Sequence, residues 1–168
     1  MAGVGGILAK AVQVSGYLLW EKLARPRVTR ASEVPGLPDA IPARWMNDVL
    51  CRDRPGVEVV SLRSADGSSG STVRRRFHIT YNEAGRRLVE TEAGKRGGLP
   101  ASVFAKMTAT LLSRLAYSGG AMADEALFFN EIRREVDLEA PWGYFASYDF
   151  RTCRSIQLME DLVAEPVE

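Results

Sequence analysis

A single lysine stands inside an apolar run, "SVFAKM", at residues 102–107. In a β-strand, Lys106 leaves the sheet on the side opposite to its neighbours Ala105 and Met107. Burying an ammonium group costs several kcal/mol unless an anion meets it. The run therefore predicts that Lys106 meets a carboxylate partner, a bound anionic group such as a phosphate, or both.

The stretch "AMADEALFFNEIRREV" at residues 121–136 offers a carboxylate. On a helical wheel at 100° per residue, Glu125 lies within about 40° of Phe129, Ile132 and Val136. A carboxylate in the middle of an apolar stripe needs a cationic partner, and a lysine on a facing strand would supply one. Glu131 falls outside this stripe. The alternative is that Glu125 stays solvated near the start of the helix, where the helix dipole favours it.

A loop of small residues, "SADGSSGST" at 64–72, separates two runs rich in β-formers. Glycine lets the main chain approach a ligand closely, so such a loop can place backbone N–H groups over phosphates. An ordinary hairpin turn has a similar composition. The order of the two runs and the strand with Lys106 favours the phosphate-binding interpretation without excluding the turn.

The pattern of the 168-residue chain predicts one domain behind a helical extension. An apolar N-terminal helix and a Pro/Gly-punctuated linker fill residues 1–37, and the main domain covers 38–168. In that domain we expect a short helix, three strands, two helical stretches around residues 108–136 and two final strands. The strands are expected at 57–62, 73–81, 102–107, 144–149 and 155–160, with a polar excursion over 82–100.

In this order the segments resemble a known family. The Gly-rich hairpin, "VFAKM", "EALFFNEIR" and "APWGYFASYD…SIQLMEDL" are similar to the N-terminal lobe of the protein-kinase-like small-molecule phosphotransferases. These include the aminoglycoside phosphotransferase, choline kinase and ecdysteroid-kinase-like groups. The resemblance runs from about residue 38 to 165. It implies an α+β fold, a kinase-like N-lobe with about five twisted antiparallel strands packed on one main helix.

The resemblance also implies roles. Lys106 would hold the α- and β-phosphates of ATP, and Glu125 would hold Lys106 in place. The hairpin residues Gly67, Ser68, Ser69, Gly70, Ser71 and Thr72 would cover the phosphates. Met159 would line the adenine pocket. The backbone of Glu160, Asp161 and Leu162 would form the hinge that hydrogen-bonds adenine.

The sequence lacks the catalytic and metal-binding residues that the resemblance leads us to expect. Phosphoryl transfer in this family needs a catalytic-loop aspartate and side chains that bind Mg²⁺, all in a C-terminal lobe beyond the hinge. Only seven residues follow Asp161, and the one histidine, His78, lies in strand sequence. We therefore expect an ATP-binding lobe that is inactive alone, with no metal ligands of its own. Mg·ATP is its expected cofactor and a C-lobe polypeptide a possible partner.

The remaining features exclude some partners. A net charge of +1 and the absence of an aromatic platform beside Arg74, Arg75 and Arg76 argue against nucleic acid. No apolar stretch is long enough for a transmembrane helix, and no signal peptide is recognised, so we expect a cytoplasmic protein. The N-terminal helix is expected to pack on the domain, with docking to a membrane surface or a partner as the alternative.

A second function of another class stays open. The chain would then be a non-catalytic binding or regulatory module that docks a partner through its exposed hinge face. Retention of both Lys106 and Glu125 favours the phosphotransferase lobe, because a docking module has no evident need of them.

Overall fold

The computed structural model describes residues 4–162 and shows an α+β architecture with a five-stranded antiparallel sheet. Along the sheet, the first three strands of the chain are followed by the fifth and then by the fourth. The strands are β1 (Val59–Ser69), β2 (Val73–Tyr81), β3 (Ser102–Met107), β4 (Gly143–Asp149) and β5 (Arg154–Glu160). The helices are α1 (Val4–Ala24), α2 (Ala43–Leu50), α3 (Glu83–Thr91), α4 (Leu111–Ala116), α5 (Ala121–Leu127) and α6 (Arg133–Glu135), with a 3₁₀ turn at Pro38–Ala40. This confirms the predicted class and sheet at the coarse level.

One face of the sheet forms the main core. Phe77 and Ile79 of β2 lie on this face beside Val103 of β3, and all three are buried. Trp45 and Met46 of α2 cover them and are fully buried. This arrangement follows from the alternation of apolar and polar residues in β2, because side chains at every second position of a strand share a face.

The opposite face of the sheet carries the long helical segment at residues 121–135, called here the composite helix. It consists of α5, a π-helical turn at Phe128–Ile132, and α6. Ala126 and Phe129 pack against Ala146 of β4, and Met159 of β5 joins the same cluster. Lys106 points to this side, since it alternates with the core residues of β3.

The π-helical turn changes which side chains of the composite helix are buried. Each π turn inserts one extra residue, which rotates all later positions by about 100°. Ile132 and Val136, expected in the apolar stripe, are instead 46% and 38% exposed. Arg133 is buried in their place and donates to the backbone oxygens of Val136, Ala140 and Pro141. The regular wheel therefore holds only for the first half of this segment.

Two elements differ from the sequence-based expectation. Helix α3 lies within the polar excursion at 82–100. The Asn82 side chain caps the N-terminus of this helix by accepting a hydrogen bond from the Gly85 nitrogen at 3.0 Å. Asparagine at this position is a common helix N-cap, so the start signal was present in the sequence. The first strand is longer than expected and runs through Ser69, which leaves only residues 70–72 for the turn.

Helix α1 is joined to the domain by a buried ion cluster. The guanidinium of Arg114 in α4 donates to both carboxylate oxygens of Glu21 at 2.7 Å, and Arg154 at the start of β5 donates to Glu21 Oε1 at 2.9 Å. Arg114 is fully buried and Glu21 is nearly so. Burial alone would raise the pKa of Glu21, but the hydrogen bonds and charges of the two arginines outweigh it and lower that pKa.

Candidate functional site

The contact predicted between Lys106 and Glu125 is present. The Lys106 Nζ atom lies 2.7 Å from Oε1 and 2.9 Å from Oε2 of Glu125, so the ammonium bridges both carboxylate oxygens. About a fifth of the Lys106 side chain and a quarter of the Glu125 side chain remain exposed. Solvent partly screens a pair with this exposure, so it contributes less to stability than a fully buried pair would. The arrangement fixes a cation at a surface that a ligand can reach.

The composite helix fixes Glu125 in this position. Met122 and Ala126, on either side of Glu125 along the helix, are buried. One turn further on, the Asn130 amide donates to the Ala146 oxygen at 2.8 Å and accepts from the Ala146 nitrogen at 3.0 Å. This two-way hydrogen bond anchors the helix to the edge strand β4. Asn130 is not among the residues predicted from the sequence, where its neighbours are Phe129 and Glu131.

A row of residues crosses the sheet at the level of Lys106. Ser68 of β1 pairs with Arg74 of β2, Arg74 pairs with Lys106, and Lys106 pairs with Gln157 of β5. Directly paired side chains lie on the same face of a sheet. The predicted hairpin residue Ser68 therefore stands two strands from Lys106, about 10 Å at the usual strand spacing.

Arg74 and Lys106 are like charges in directly opposite positions, a pairing that destabilises a sheet. Glu125 balances Lys106, whereas Arg74 is exposed and has no ion pair within residues 4–162. An anion held between the two cations would remove the repulsion.

The other side of Lys106 is closed. Gln157 is fully buried, and its amide nitrogen lies 3.7 Å from the Met122 sulfur, a weak acceptor. Its side-chain oxygen has no hydrogen-bond partner in the described part of the chain. Access to Lys106 is thus from the side of β2 and the β1–β2 hairpin.

The β1–β2 hairpin is tight rather than a wide loop. Gly67, Ser68 and Ser69 belong to β1, and the Gly70 nitrogen donates to the Thr72 oxygen at 3.1 Å across the turn. A Cβ atom on Gly67 would lie 2.3 Å from the Arg74 oxygen, so this position requires glycine for the close approach of the two strands. Ser71 completes the turn. Thr72 is buried, and its hydroxyl has no partner among the described residues.

The predicted hinge lies at the end of β5, on the same sheet. Met159 pairs with Phe104, two residues along β3 from Lys106, and packs against Ala126 and Phe129. Glu160 donates its N–H to the Trp142 oxygen at 2.7 Å, so it cannot offer that group to a ligand. The Leu162 side chain is exposed.

Asp161 takes part in a network of hydrogen bonds and ion pairs that was not predicted from the sequence. Its carboxylate accepts from Arg76 Nε at 2.6 Å and from the Ser102 hydroxyl at 3.0 Å. Arg76 also donates to both carboxylate oxygens of Asp66 in β1. Of the three consecutive arginines, Arg76 therefore links β1 and β2 to the predicted hinge. Spacing could not reveal this, because 85 positions separate Arg76 from Asp161.

No group of three or more His, Cys, Asp or Glu side chains within residues 4–162 is placed to hold a metal ion. Cys51 and Cys153 are unpaired and buried. A cavity of about 750 Å³ lies between the end of α1 and the linker before α2, and one of about 680 Å³ lies between α1 and the β4–β5 turn. Neither of these two cavities is lined by Lys106 or Glu125.

Comparison of the chain with protein-family profiles, with curated proteins and with solved structures gives no match. The family resemblance of the segments around Lys106 therefore remains a prediction, and the functional argument depends on the geometry of the site.

Proposed function

We propose that this chain is the ATP-binding lobe of a phosphotransferase that moves the γ-phosphoryl group of ATP to a hydroxyl of a small molecule. The observation that supports it most is the Lys106–Glu125 pair. The Lys106 ammonium donates to both oxygens of the Glu125 carboxylate, and these two hydrogen bonds hold it in one position. A cation fixed in this way can bind the negatively charged oxygens of a phosphate group.

Three further features support the same proposal. The exposed Arg74 beside Lys106 adds a second cation. Next to β2 lies β1, whose residue Gly67 allows the close approach of the two strands in the hairpin. The strand that ends in the predicted hinge is the other neighbour of β3. ATP would then lie along this face of the sheet. Its phosphates would bind between Lys106 and the hairpin, and its adenine base would contact Met159.

Catalysis would need groups that this site lacks. A phosphotransferase requires a carboxylate to orient the acceptor hydroxyl and ligands for Mg²⁺. Glu125 is committed to Lys106, and Asp161 is bound by Arg76 and Ser102. These groups would come from a second lobe beyond the hinge, which would bring Mg²⁺ bound to the nucleotide. We therefore expect no turnover by this chain alone.

Nucleotide titration followed by amide NMR tests the proposal. With a non-hydrolysable ATP analogue and Mg²⁺, we expect shifts confined to Gly67–Thr72, Lys106 and 159–162. The dissociation constant should be on the order of 1 mM or weaker, because contacts from a second lobe are absent. Lys106→Met should abolish the shifts, while Lys95→Met should not change them. Shifts elsewhere, or none at saturating nucleotide, would instead favour the non-catalytic docking module.

A further inference from the structure

The outward side of helix α1 is apolar and uncovered. Leu8, Val12, Leu19 and Leu23, called here the outer stripe, are 60–76% exposed. On a helical wheel they fall within about 60° of one another. The buried residues of this helix, Val14 and Glu21, lie on the opposite side.

The exposed charges of α1 and of the residues that follow it up to Arg27 all have one sign. Glu21 is the only acidic residue in α1, and it is buried between Arg114 and Arg154. Lys22, Arg25 and Arg27, called here the basic end, follow it and are exposed. None of the three forms an ion pair within the described residues, and all three line the cavity of about 750 Å³, where Asp39 is the only exposed acid. An apolar stripe beside unpaired cations is complementary to an anionic lipid surface.

The position of α1 separates it from the candidate site. Lys10 Nζ donates to the Phe150 oxygen and Gln13 to the Arg151 oxygen, both in the turn before β5. The predicted hinge is at the far end of β5, about 20 Å away along the strand. A second lobe that follows the hinge would therefore start at the other end of the sheet from the outer stripe.

We propose that α1 binds an anionic membrane surface, lying in the plane of the bilayer interface. The outer stripe enters the boundary between headgroups and acyl chains, and Trp20, half exposed at the flank of the stripe, lies at headgroup level. The basic end contacts lipid phosphates and carboxylates. The helix lies on the bilayer rather than across it: no helix within residues 4–162 is long and apolar enough to span a membrane. This inference is independent of the proposed phosphotransfer function.

Vesicle flotation tests the inference with the whole chain. We expect co-flotation with phosphatidylcholine vesicles that contain phosphatidylserine, and binding about tenfold weaker or more without the anionic lipid. Added salt should weaken the binding. Leu19→Glu should abolish it, and the combined change Lys22→Gln, Arg25→Gln and Arg27→Gln should remove the preference for phosphatidylserine. Val60→Glu is the matched control, because Val60 is 61% exposed on β1 and far from α1 in sequence.

Quenching of tryptophan fluorescence by brominated lipid measures membrane contact with the outer stripe unchanged. This measurement therefore does not depend on whether a variant of the stripe folds. The fluorescence lost from the wild-type protein, minus that lost from Trp20→Phe, should show quenching of Trp20 on anionic vesicles. Three results would overturn the inference: no flotation with either vesicle, no quenching of Trp20, or equal loss of binding in Val60→Glu. A dimer that Leu19→Glu dissociates, without any vesicle binding, would assign the outer stripe to a second copy of the chain.

Discussion

Lys106 Nζ donates to both carboxylate oxygens of Glu125, at 2.7 and 2.9 Å, across the gap between β3 and the composite helix. The pair is only partly buried, whereas the ion cluster around Glu21 is almost wholly buried. The two clusters should therefore respond differently to substitution. The partly exposed pair is accessible to a ligand, and the buried cluster holds α1 to the rest of the domain.

Removal of the lysine should leave the fold intact. Lys106→Met is expected to reduce the free energy of unfolding by about 1–2 kcal/mol, less than the loss of a partner in a fully buried pair, since part of each side chain stays in contact with solvent. Urea unfolding followed by circular dichroism measures this change. A loss above about 3 kcal/mol would mean that Lys106 is a structural residue and would weaken the functional assignment.

Removal of the buried guanidinium should be far more damaging. Arg114→Met leaves Glu21 buried with half of its neutralising charge gone, and we expect a loss of about 3–5 kcal/mol. Arg52→Met, which breaks the exposed pair with Asp48, is the matched control and should cost under about 1 kcal/mol. Equal effects in the two variants would contradict the structural role given to Glu21.

Stability should depend on the ionisation of Glu21. The two arginines hold the pKa of Glu21 below its ordinary value of 4.5, so the folded state binds this proton less readily than the unfolded chain. The stabilisation is complete above pH 4.5 and is lost as the pH falls through the lower folded value. Glu21→Gln should be less stable than the wild type at pH 7, and the difference should shrink below pH 4.5. Urea midpoints at a series of pH values measure it, and a difference independent of pH would refute the assignment.

The hairpin should tolerate alanine at one glycine and reject it at another. A Cβ atom on Gly67 would lie 2.3 Å from the backbone oxygen of Arg74, whereas one on Gly70 would meet no atom within 4 Å. We expect Gly67→Ala to cost about 1–3 kcal/mol, because the strands must move apart, and Gly70→Ala to change stability by less than about 0.5 kcal/mol. Similar thermal midpoints for the two variants would show that β1 and β2 do not approach this closely.

The sequence predicted the elements with strong periodicity. The strand expected at 73–81 coincides with β2, and the apolar setting of Lys106 predicted a carboxylate partner, which is Glu125. Both predictions used a local pattern whose physical origin is the geometry of a single strand or helix turn. Such patterns keep their meaning wherever the element packs.

The features that escaped prediction depend on irregular backbone or on distant pairing. The π turn at Phe128–Ile132 changed the phase of the composite helix, so Arg133 is buried where Ile132 was expected. The network of Arg76 with Asp66 and Asp161 joins three parts of the sheet that only the strand order brings together. A helical wheel assumes regular turns and carries no information on strand order, and both failures follow from that.

The central claim is that Lys106 is held where the phosphates of ATP bind, and a lysine-directed ATP probe tests it most directly. In an acyl phosphate of ATP, the amine of a nearby lysine attacks the acyl carbon, an amide forms, the amine loses a proton, and ATP leaves. The chain has four lysines, Lys10, Lys22, Lys95 and Lys106, so peptide mass spectrometry compares Lys106 with three internal controls. We expect preferential labelling of Lys106, suppressed by excess Mg·ATP and reduced in Arg74→Gln. Labelling of Lys106 that equals that of Lys95, or that excess Mg·ATP does not suppress, would contradict the claim.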